Sequence, residues 1–100
     1  MKWMEIIKLQ IAREEKEQVL QEIKELLETI GSSSGMMQAA IYEEGTLYGD
    51  LAVLLIWETP SLNKNGSREA LQLKQLFREF GLVNHTVWLL SATLSVSKVK

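Results

Sequence analysis

The chain opens on an alternation. Within residues 3–12, Ile7, Leu9 and Ile11 point one way while Lys8 and Gln10 point the other. A period of two is that of a β-strand. From Arg13 the period lengthens: Val19, Leu20, Ile23, Leu26, Leu27 and Ile30 recur at three and four residues, and most of the glutamates and lysines between them fall elsewhere. This is an amphipathic helix, with Gly31 placed where a left-handed C-terminal cap is expected. A Gly-Ser connector over residues 31–35 leads to a second strand over 36–42, a turn at 43–45 and a long apolar third strand over 46–58, with an irregularity expected at Gly49 and Asp50. Pro60 lacks an N–H and stops pairing. A polar loop follows, and Ser67 is suited to cap a second helix. That helix, over 68–80, sets Ala70, Leu73, Phe77 and Phe80 on one face, and Gly81 ends it. A last strand is expected over 85–96, before a frayed basic end at 97–100.

The order β-α-β-β-α-β predicts an α+β, ferredoxin-like sandwich: a four-stranded antiparallel sheet with two helices on one face, formed as a single domain over residues 1–100. Such a sheet has one face without helices, and its strands should alternate cleanly if water covers that face. The third strand does not. Leu51, Val53, Leu55 and Trp57 share one face, and Ala52, Leu54 and Ile56 share the other. An apolar patch of that extent is normally an interface. The simplest cover is the same face of a second copy, so the pattern predicts a homodimer joined sheet to sheet.

Composition narrows the chemistry. The formal net charge is -2, without the basic face that phosphate neutralisation needs, so nucleic acid is not an expected partner. There is no cysteine and one histidine. That removes thiol catalysis, disulfides, and zinc-thiolate or histidine-rich metal sites within one chain. The longest apolar run, residues 51–57, is far below the ~20 residues a membrane-spanning helix needs. The first residues lack the apolar core of a signal peptide. A cytoplasmic protein without membrane partner or metal is expected.

Seven residues stand out as candidates. Trp57 can line a pocket between sheets and stack on a flat ligand; the alternative is a core or interface tryptophan. His85 is the single histidine, the side-chain type suited to proton exchange at neutral pH; it can serve as a general base at a pocket mouth or as an axial ligand, or sit on a surface loop. Gln10, Gln38 and Tyr42, with Ser91 and Thr93, are polar positions on apolar strands. They can hydrogen-bond a buried small aromatic ligand, or lie at half-exposed sheet edges. Trp3, Trp88 and the methionines read as packing, and the glutamates of the first helix as a solvated face.

The element order, with the Trp57-Glu58 pair closing an apolar third strand, resembles the dimeric α+β barrel superfamily. Within it, the nearest resemblance is to antibiotic biosynthesis monooxygenase-like domains. The resemblance implies two ferredoxin-like protomers joined through their sheets, and an activity among cofactor-independent oxygenases of phenolic substrates or haem-degrading enzymes. Trp57 would then be the pocket tryptophan. Haem-degrading members carry a histidine on the second helix and an asparagine on the first strand. Residues 68–80 hold no histidine, and the first strand offers Gln10, so no haem or other cofactor is expected. The loop over 59–67 is also longer and more polar than the family's short link. The resemblance leaves a monooxygenase-like or isomerase-like enzyme, a non-catalytic small-molecule-binding module, and a structural dimer.

Overall fold

The opening alternation becomes β1 (Lys2–Gln10). In the computed structural model, which describes residues 1–45 and 50–96, there follow a 3₁₀ turn (Arg13–Glu15), α1 (Lys16–Ile30), β2 (Met36–Glu43), β3 (Asp50–Glu58), α2 (Arg68–Phe77) and β4 (Leu82–Leu89). The strands form one sheet in the order β2-β3-β1-β4, with every neighbouring pair antiparallel. This is the ferredoxin-like α+β arrangement. β1 and β3 are central, and each helix links two strands that have a third between them.

Both helices cover the same face. Trp3, Ile7 and Leu9 of β1 and Leu51, Val53, Leu55 and Trp57 of β3 join Val19 and Ile23 of α1 and Ala70, Leu73 and Phe77 of α2 in one buried cluster. The opposite face carries Met4, Ile6, Ala52, Leu54 and Ile56, all half-buried, and the exposed Trp88. The two-faced apolar character read from β3 is therefore real. Side-chain ties fix the helices. Lys16 Nζ lies 2.6 Å from Glu43 Oε1. Ser33 Oγ donates to Glu69 Oε2 at 2.7 Å.

Several boundaries differ from the sequence expectation. β1 ends at Gln10, because its pairing with β3 ends opposite Asp50. The expected start of β3 at Thr46 and the irregularity at Gly49 lie outside the described residues, as does the end at 97–100. Gly31 does follow α1, but with φ −67° and ψ −10° it is right-handed. The left-handed glycine of that connector is Gly35, at φ 88°. The largest difference is β4. It runs over Leu82–Leu89 rather than 85–96, because β1, its pairing partner, offers residues from Gln10 back to Trp3 opposite Leu82 to Leu89.

Candidate functional site

Trp3, Glu5, Ile7 and Leu9 share the inward side of β1, and Glu5 is the charged member of that row. It is fully buried, the one buried polar or charged side chain among the described residues. A carboxylate in such a place is tolerable only if its acceptor positions are filled, and four donors converge on it. Trp57 Nε1 donates to Oε2 at 2.8 Å, and Ser67 Oγ donates to the same oxygen at 2.5 Å. Ser67 backbone N–H donates to Oε1 at 2.9 Å, and His85 Nε2 lies 2.9 Å from Oε1. A carboxylate offers about four lone-pair positions, so the inventory closes.

Each donor is placed by its element. Trp57 closes β3 opposite Trp3. The two indoles stack with centroids 5.6 Å apart and planes at 16°. Trp3 Nε1 donates to Thr59 Oγ1 at 2.7 Å, which finishes the pair on the loop side. Ser67 is the N-cap of α2, as the sequence suggests, and its Oγ accepts from Ala70 N–H at 3.0 Å. With that oxygen already accepting, its own hydrogen is directed to Glu5. Gly66, at φ 88°, brings the loop backbone flat against His85 and Glu5. A Cβ at Gly66 would run into the imidazole and into Oε1. His85 lies opposite Ile7 on β4, with a side chain 10% exposed.

The cluster defines the state of His85. The carboxylate oxygen accepts, so Nε2 carries the hydrogen. Nδ1 is then the free ring nitrogen, with the lone pair in the neutral form. Among the described residues Nδ1 has no hydrogen-bond partner, and it is not sealed from solvent. The arrangement is a buried carboxylate orienting an imidazole whose second nitrogen is left without a partner among the described residues, which suits it to accept a proton.

The sequence candidates thus separate. Trp57 and His85, more than twenty residues apart in the chain, are brought to one carboxylate. Trp57 faces the helix layer rather than a space between sheets, and its ring is covered by Trp3. Gln10, Gln38 and Tyr42 are on the other face of the sheet and are all exposed. They are not gathered. Gln38 pairs opposite Ile56, and Tyr42 opposite Ala52, four residues along β2. Gln10 lines a hollow of about 330 Å³ with Asp50 and Asn84. Ser91 borders an apolar cavity of about 350 Å³ formed by Trp3, Met4, Ile56, Trp88, Leu89 and Leu90. Thr93 is exposed beyond β4. Among the described residues no three His, Asp or Glu side chains are grouped as a metal site, and no helix is long and apolar enough to cross a membrane.

Glu5, Gly66 and Ser67 were not among the sequence candidates for chemistry. The signal for Glu5 was present: a charged residue on the inward parity of an apolar strand needs buried partners. Nothing in the sequence names those partners.

No family model matches the chain, and neither does any curated protein. Solved structures do. Rv0793 from Mycobacterium tuberculosis superposes with a TM-score of 0.72 at 14% identity, over 95% of this chain and 100% of that one. A structure described as a putative antibiotic biosynthesis monooxygenase from Deinococcus radiodurans gives 0.70 at 12% identity, over 96% and 99%. A mutant of SnoaB, a cofactor-independent oxygenase from Streptomyces nogalater, gives 0.68 at 12% identity, over 93% and 96%. The chain therefore has the ferredoxin-like fold of the antibiotic biosynthesis monooxygenase-like structures. At these identities the likeness is one of fold.

Proposed function

We propose that this chain is a one-domain, cytoplasmic, homodimeric monooxygenase-like enzyme that acts on a flat organic substrate without a cofactor. The observation that carries the reading is the Glu5–His85 pair, a fully buried carboxylate holding an imidazole that is 10% exposed and whose Nδ1 has no hydrogen-bond partner among the described residues. The fold shared with a cofactor-independent oxygenase supports it. In this reading His85 Nδ1 takes a proton from a phenol or activated CH₂ of the substrate. The resulting anion is electron-rich enough to react with dioxygen directly. One oxygen atom replaces the two hydrogens of the CH₂ as a carbonyl, and the other leaves with those hydrogens as water. Glu5 holds the tautomer and stabilises the imidazolium that forms. Trp57 acts through Glu5 as a positioning residue, because its indole is buried under Trp3. The dimer would form through the sheet face that the helices leave open.

The test is oxygen uptake with a panel of quinols and anthrone-like substrates. His85→Ala should lower kcat by at least ~100-fold, the usual reach of general-base catalysis. Trp57→Phe keeps an aromatic ring but removes the N–H that binds Glu5, and should cost ~10-fold, as expected for a group that orients a catalytic residue. Uptake that is the same in His85→Ala as in the wild type would remove the enzymatic reading.

The second reading is a non-catalytic binding module. It is favoured by the filled space around Trp57, where Trp3 stacks on the ring and Glu5 takes up the indole N–H. Saturable binding of a quinol without oxygen uptake would establish it.

A further inference from the structure

The three tryptophans of the chain sit at one end of the sheet, on three consecutive strands: Trp57 on β3, Trp3 on β1 and Trp88 on β4. Trp57 is buried and donates its N–H to the Glu5 carboxylate at 2.8 Å. Trp3, also buried, stacks on it with centroids 5.6 Å apart and planes at 16°. Trp88 pairs opposite Met4, the residue after Trp3, on the other face of the sheet. It lines the same cavity of about 350 Å³ as Trp3, and it is 53% exposed. The row leads from the Glu5–His85 cluster, through two covered rings, to a ring in contact with water. An indole is among the side chains that give up one electron most readily, and the chain has no cysteine to compete with it. The inner pair is suited to hold the positive charge that results. A cation is attracted to the face of a neighbouring indole, and Trp3 presents its face to Trp57. A carboxylate on the N–H favours the charged ring and can take its proton, and Glu5 Oε2 is placed there. Trp3 and Trp88 donate instead to neutral hydroxyls, Thr59 Oγ1 at 2.7 Å and Thr86 Oγ1 at 2.8 Å.

We propose that Trp57, Trp3 and Trp88 form an electron-transfer chain that discharges one-electron oxidants arising at the His85 site. The inference goes beyond the proposed function and rests on it for the source of the oxidant. A substrate anion that gives one electron to dioxygen leaves a substrate radical and superoxide. When the superoxide escapes before the two combine, the substrate radical takes an electron from Trp57 and is reduced back to the anion. The indole proton of Trp57 passes to Glu5 Oε2 along their hydrogen bond. An electron from Trp3 refills Trp57, the proton returns from Glu5, and an electron from Trp88 refills Trp3. The Trp88 radical cation is at the surface, where a soluble one-electron donor such as ascorbate or a thiolate reduces it. The sum is a substrate radical reduced, a soluble donor oxidised and a protein left unchanged.

The test uses the full chain without substrate, so its failure and that of the oxygenase reading are separate results. A ruthenium(III) polypyridyl complex generated by a light flash is too large to enter the fold and oxidises surface rings. Electron transfer along the row is reversible, so a vacancy placed on Trp88 travels inward to the stacked pair. Electron paramagnetic resonance of the freeze-quenched wild type should show an indole radical that a soluble gadolinium chelate does not broaden, the mark of a buried radical. Trp88→Phe should lose that radical, and its circular dichroism should match the wild type because the ring is half in water. Trp3→Phe should still form a radical, but one that the chelate broadens, because the vacancy stays on Trp88. An unbroadened radical of undiminished size in Trp88→Phe overturns the surface exit, and one in Trp3→Phe overturns the row. A wild type that forms only a broadened radical, or none, overturns the chain altogether.

Discussion

At the residue scale the structure turns on one misfit. Glu5 sits where β1 asks for an apolar side chain, and four donors from three other parts of the chain are arranged to meet it. The closeness of the loop to that cluster depends on Gly66, which combines a left-handed backbone with contact against His85 and Glu5. An alanine there is disfavoured twice, by φ and by the space its Cβ would need. Gly66→Ala should destabilise the fold by about 2–4 kcal/mol, from backbone strain and overpacking together. Urea unfolding followed by tryptophan fluorescence measures it, and an unchanged midpoint would mean that the loop can withdraw from His85 without loss. Neither the need for glycine at this position nor its neighbours could be read locally. Gly66 looks like any loop glycine until β1 and β4 are brought beneath it.

At the element scale, Ser67 shows how one side chain serves a helix and a site. As N-cap it accepts from Ala70 N–H, and as donor it binds Glu5. Ser67→Ala removes both. A lost cap costs about 1 kcal/mol, and a lost bond to a buried carboxylate about 1–2 kcal/mol more. A total loss of about 2–3 kcal/mol is expected in urea unfolding, while Ser67→Thr should recover most of it. A loss no larger than a cap alone would show that the backbone N–H of residue 67 suffices for Glu5. The cap was legible because capping is a local matter of residue type and position. The ends of β4 were not. Alternation shows which residues want to be in a strand, and pairing decides which of them are. The pattern ran to Val96, but β1 supplies partners only as far as Leu90.

At the scale of the whole molecule, the uncovered sheet face carries the proposed dimer. Ile56 lies on that face, half-buried in the protomer and opposite Met4 and Gln38. Ile56→Asp should weaken self-association by ~100-fold or more, since a charge would have to be desolvated at the interface, and light scattering at low micromolar concentration reads the change. An equally tight dimer would take this face out of the interface. Much of this level was in the sequence. The order of elements and the two-faced β3 were enough for the ferredoxin-like sandwich and for an apolar face away from the helices, because periodicity is a local record of which side of an element meets the core. The candidate site was only half there. Trp57 and His85 could be singled out as residue types, and Gln10, Gln38 and Tyr42 as polar interruptions, but parity alone could not place them in one pocket. Tertiary structure set the first two on one carboxylate and left the other three spread over the opposite face. The physical reason is that a strand pattern records burial one chain segment at a time. A hydrogen-bonded cluster is a relation among β1, β3, the start of α2 and β4, and it exists only once the sheet register and the helix crossover have brought those four segments to the same place.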